Sequence, residues 1–155
     1  MKMEFKGLFK FGILSALLPA LFLIIVVSIR DYLLIDYIHV LSAALWLGCN
    51  LFMGFIFYRI IYDLEDREKI DITVRLLPLT MFFLPAITIV TVIAGYVLAF
   101  YVNLFSYSYL IYAPIIVLSS ILLLLSLVYY LYDSIKIYQI ISSMGYKKDI
   151  MRFSF

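Results

Sequence analysis

The chain of 155 residues has little of what most binding and catalytic chemistry uses. It has one cysteine, Cys49, so no internal disulfide, CxxC metal knuckle or CxxCH attachment of a c-type haem can form. It has one histidine, His39, so two axial histidines for one haem cannot come from a single chain. Charged residues make up 14% of the sequence, against about a quarter in a typical soluble domain. The net charge is +2, and no basic patch with interleaved aromatics is present, so no nucleic-acid partner is expected. HExxH, G-x-S-x-G and a Gly-rich phosphate loop are all missing. No enzyme class is indicated.

What is abundant is apolar: 66% of residues are hydrophobic and the mean hydropathy is +1.12. That much apolar surface on one domain-sized chain faces lipid. Long apolar runs predict membrane helices over about 12–29, 32–61, 76–102 and 110–132. Each reaches the ~20 residues that cross a bilayer, and backbone groups in lipid must be satisfied within the segment. None shows the apolar–polar alternation of a barrel strand. The first run follows a basic stretch, MKMEFKGLFK, but is long for a signal peptide and lacks a small-x-small site after it, which predicts an uncleaved first helix. Pro19 and Pro85 are expected to kink the first and third helices. Pro114 sits near the start of the fourth, where proline is tolerated. The segment YDLEDREKID reads as a solvated charged connection, and 133–155 as an amphipathic tail that continues the fourth helix onto the headgroups.

Lysine and arginine set the expected orientation. Lys2, Lys6, Lys10, Arg59, Arg67, Lys69, Arg75, Lys136, Lys147, Lys148 and Arg152 fall on one side, and Arg30 alone on the other. This predicts an all-α, up-down-up-down four-helix transmembrane bundle in the cell membrane with both termini cytoplasmic. The Arg30–Asp31 link is so short that the first two helices should be antiparallel neighbours.

His39 lies in the most apolar surroundings, IHVLSAALWLGCN. At 100° per residue, His39, Ala43, Trp46, Asn50, Met53 and Phe57 share one line along the second helix, opposite Ala44, Gly48 and Leu51. Polar groups facing lipid are costly, so this line is expected to face the other helices. If Trp46 is near the midplane, His39 lies roughly 11 Å outward, at the depth of Gly95–Tyr96 on the third helix. Cys49 and Met53 are roughly 15 and 21 Å from His39 along the axis, too far to share an ion with it, which disfavours a copper site. Ser119 and Ser120 read as hydroxyls bonded to their own helix. For His39 two roles stay open: a prosthetic-group contact, or a tie to Asp36 or a backbone carbonyl that holds helices together.

The pattern of His39, Trp46, Gly48 and, more loosely, Phe57-Tyr58-Arg59, followed by Arg75-Leu76, Pro85 and Gly95, resembles the copper resistance protein D superfamily. That superfamily includes the HemJ-type protoporphyrinogen oxidases and other four-helix membrane domains. The resemblance covers about residues 35–100. It implies haem b held through His39 near the outer leaflet, for electron transfer or haem metabolism. His39 would be the axial and metal ligand, Asp36 an acceptor orienting its ring, Trp46 packing below the plane, and Gly95 an opening for close approach. HemJ-like members carry a histidine and a lysine in later helices; the fourth helix here has neither, so only His39 is carried over as a ligand. A homodimer would supply a second histidine. From a different class comes a cofactor-free structural subunit of a larger membrane complex.

Overall fold

The computed structural model describes residues 5–106 and 111–143. It is helical throughout, with no strand among the described residues. Helix α1 is Phe5–Ile29; α2 is Tyr32–Tyr62; α3 is Asp66–Tyr101; α4 is Ala113–Ser143. All four contain stretches long and apolar enough to cross a membrane, as a multi-pass membrane protein requires.

The links are tight and capped. Arg30 takes a left-handed conformation (φ 60°) that ends α1, and its N–H reaches the Val27 carbonyl at 3.2 Å. The Asp31 carboxylate then accepts from the Leu33 N–H at 2.8 Å and caps α2. Asn103, also left-handed (φ 56°), closes α3, with the Leu104 N–H bonded back to the Ala99 carbonyl at 2.9 Å.

Two helix starts differ from the sequence expectation: α1 begins at Phe5, ahead of the apolar run that starts near Gly12, and α3 begins early as well. The helix α3 starts at Asp66 and not near Leu76, so most of the charged segment is helix and only 63–65 remain as a link. The cause is local. The Glu65 N–H donates to the Glu68 carboxylate at 3.2 Å, and Asp66 and Glu68 place negative charge in the first turn. Ion pairs Asp66–Lys69 (3.6 Å) and Asp71–Arg75 (3.2 Å) then follow helical spacing. The helix α4 continues to Ser143, into the segment expected to continue it; residues 144–155, with Lys147, Lys148 and Arg152, lie outside the described residues.

Helix α3 is the centre, and α1, α2 and α4 each pack on it. The main core joins Leu23 and Val26 of α1, Ile35 and Ile38 of α2, and Val90 and Ala94 of α3, at the end of the bundle that carries the α1–α2 link. Lower down, α1 meets α3 at Gly12, where an added Cβ would collide with the Pro78 carbonyl and approach the Phe82 ring to 2.9 Å. Phe9 and Phe82 pack edge-to-face there at 5.8 Å. Pro19, Pro78 and Pro85 all sit inside helices that stay continuous through them. Pro78, which carried no sequence expectation, is fully buried. Beyond Leu51, α2 winds as a π-helix over Phe52–Phe57 before resuming as α-helix, and no residue from there to Tyr62 is buried.

Candidate functional site

On α2 the line His39, Ala43, Trp46, Met53, Phe57 is half-buried, and Ala44, Gly48 and Leu51 opposite it are exposed. Asn50 is the exception: it is exposed and donates to the Trp46 carbonyl at 2.7 Å. Helix α2 therefore turns its polar line inward near His39.

The imidazole of His39 lies against Gly95 of α3. A Cβ at Gly95 would stand 2.8 Å from Cε1 and 3.1 Å from Nδ1, so glycine here is what lets the ring reach the α3 backbone. Nδ1 is 3.0 Å from the Thr91 carbonyl oxygen. A carbonyl can only accept, so Nδ1 carries a proton, and in the neutral form of the ring the lone pair is then on Nε2. Nε2 has no hydrogen-bond partner among the described residues and retains contact with open space. One bond thus ties α2 to α3 and sets the tautomer.

His39 lines a cavity of about 470 Å³ between α2, α3 and α4, walled mainly by aliphatic side chains such as Val92, Leu98, Ile115, Ile116 and Leu123. The size suits a small lipophilic molecule. His39, Asp36 and Gly95 all line it. Trp46 does not; it is half-buried elsewhere on α2. Asp36 is exposed and makes no hydrogen bond to His39; the acceptor that orients the ring is the Thr91 carbonyl. The reason is Gly95, which brings the ring within reach of a backbone acceptor on the facing helix. Thr91 was not singled out from the sequence, although it stands one turn before Gly95 on the same face, a small–polar pair typical of close helix contacts.

Ser119 and Ser120 of α4 also line the cavity, and their hydroxyls donate to the Ile115 and Ile116 carbonyls at 2.7 and 2.8 Å. Tyr96 stands in the wall with its ring parallel to Phe105 at 6.4 Å. Among the described residues, no three of His, Cys, Asp and Glu come together as a metal cluster.

Haem b fits this lining in one respect and not in another. A ligating histidine characteristically donates its other ring N–H to a carbonyl or carboxylate, as Nδ1 does to Thr91. The carboxylates of the group, however, would meet no lysine or arginine in the wall, only the like charge of Asp36. They fit only outside the cavity. Compared with protein-family models, curated proteins and solved structures, the chain matches none.

Proposed function

We propose that the chain is a multi-pass membrane protein that holds a lipophilic ligand between α2, α3 and α4, with Nε2 of His39 as the principal polar contact. The observation that carries this reading is the fixed tautomer: Nδ1 is engaged by the Thr91 carbonyl, so Nε2 offers a lone pair to the cavity. A histidine serving only to tie helices needs no cavity beside its second nitrogen.

Haem b is the ligand that the likeness to copper resistance protein D and HemJ-type proteins implies. In that reading His39 is the axial ligand and Thr91 fixes its ring. The group would supply one-electron chemistry, and the sequence's positive-charge distribution favours a site toward the extracytoplasmic leaflet. The test is the absorption spectrum of protein taken from its native membrane. A Soret band that disappears in His39→Ala supports haem; a colourless, folded protein removes it.

A second reading is a cofactor-free subunit of a larger membrane assembly. It is favoured by α4, whose most apolar window holds no buried residue, and by the α2 segment Phe52–Tyr62, which holds none either. Native mass measurement after gentle extraction tests it: a larger particle of fixed composition supports it, and a lone 18.1 kDa chain does not.

A further inference from the structure

Among the described residues, most polar side chains that line the cavity, the hydroxyls of Tyr32 and Tyr96 apart, have lone pairs and no free proton to offer, and this bears on what it binds. Nε2 of His39 offers a lone pair because Nδ1 holds the proton against the Thr91 carbonyl. The Asp36 carboxylate, when ionised, only accepts. The hydroxyls of Thr91, Ser119 and Ser120 have their protons engaged by the carbonyls of Ile87, Ile115 and Ile116, at 2.7–2.8 Å. What those oxygens have left is lone pairs. Among the described residues, no lysine, arginine, tryptophan, asparagine or glutamine lines the space, and the side-chain donors not already engaged are the hydroxyls of Tyr32 and Tyr96, which serve equally as acceptors.

We infer that the cavity selects a lipophile whose head donates hydrogen bonds, a hydroxyl on an apolar body, and discriminates against carbonyl-headed or anionic relatives. The inference rests on the proposed ligand-binding cavity but not on haem. A hydroxyl pairs with Nε2, whereas a ketone, ether or carboxylate placed there faces another lone pair and leaves both groups unsatisfied in a low-dielectric site. The aliphatic walls take the body, and the head sits at the His39–Thr91 end, about 10 Å deeper along α2 than Tyr32 and the Arg30–Asp31 link.

The test uses the full chain in lipid nanodiscs and three probes of matched body: 4-nonylphenol, its methyl ether, and 2-nonyl-1,4-benzoquinone. Because His39 is the only histidine, ring labelling with nitrogen-15 gives one residue's signals. Nonylphenol is expected to move the Nε2 resonance and leave the Nδ1–H in place. It should bind about tenfold tighter than the ether, the effect of one satisfied acceptor. In His39→Phe the preference should fall to about one. Ile116→Trp, which fills the cavity from α4, should weaken all three probes. Equal binding of phenol and ether, tighter binding of the quinone, or no binding of any probe overturns the inference. The outcomes separate from those of haem: a colourless protein that binds the phenol supports the inference while haem fails. A Soret band that the phenol cannot displace does the reverse.

Discussion

Helices α3 and α4 have the same mean hydropathy over their most apolar windows, 2.3, yet a third of the α3 window is buried inside the protein and none of the α4 window is. Hydropathy measures compatibility with lipid; it does not say which helix the others gather around. In α3 the buried positions include Thr88, Thr91, Ala94 and Ala99, with half-buried Gly95 beside them, small residues at helical spacing. They let neighbouring backbones approach, and packing is what drives helices together once all are in lipid. In α4 the corresponding stretch, SSILLLLSLVYY, is large on every face, and its serines bond to their own backbone.

The strongest way to break the contrast is at the closest approach to α3. Gly12→Leu should destabilise the protein by about 2–3 kcal/mol, since the new side chain meets the Pro78 carbonyl and the Phe82 ring, and the backbone cannot yield as a flexible side chain would. Gly54→Leu is the matched control. Nothing lies within 4 Å of a Cβ at Gly54, so the change should stay within about 0.5 kcal/mol. Unfolding in bicelles, followed by a steric-trap assay, reads both. Equal losses would mean that α1 is not seated on α3 as described.

A smaller effect is expected at Gly95. In Gly95→Ala the methyl would stand 2.8 Å from Cε1 of His39, so the ring moves off and the bond from Nδ1 to the Thr91 carbonyl is lost. The cost should be about 1–2 kcal/mol, the range for an acceptor left unpaired plus mild overpacking. The more telling readout is the nitrogen-15 spectrum, where the proton should no longer be confined to Nδ1. An unchanged tautomer in Gly95→Ala would sink the account of how Nε2 is kept free.

Much of this was legible in the residues. Four spans follow from length and hydropathy, and the inward line on α2 follows from 100° of rotation per residue. That His39 and Gly95 share a depth follows from 1.5 Å of rise. Less legible was anything set by backbone carbonyls, which have no letter in the sequence. The acceptor for His39 is such a carbonyl, and Asp36 was the only nearby acidic side chain a sequence could offer in its place. The start of α3 was missed for another reason. Charge density suggested a loop, but Asp66–Lys69 and Asp71–Arg75 are spaced for a helix, and spacing was the better guide. The π-helical turn at Phe52–Phe57 has no local signal beyond Gly54.

The smallest effect is expected on α4. Leu122 is 59% exposed, so Leu122→Ala in the isolated chain removes contacts with lipid or detergent and should change stability by under about 0.5 kcal/mol. Ala94→Leu, at a residue with no exposure on α3, should cost about 1–3 kcal/mol by overpacking. The pair therefore restates the α3–α4 contrast as two numbers from one assay. The same α4 substitution made in the native membrane asks a different question. If Leu122→Ala leaves the isolated chain untouched but shrinks the particle extracted from cells, α4 is an interface, and the subunit reading gains the contact it lacks within one chain. If the particle is unchanged as well, the bare face of α4 is simply lipid-facing, and the cavity it closes over His39 is where its inner side chains act.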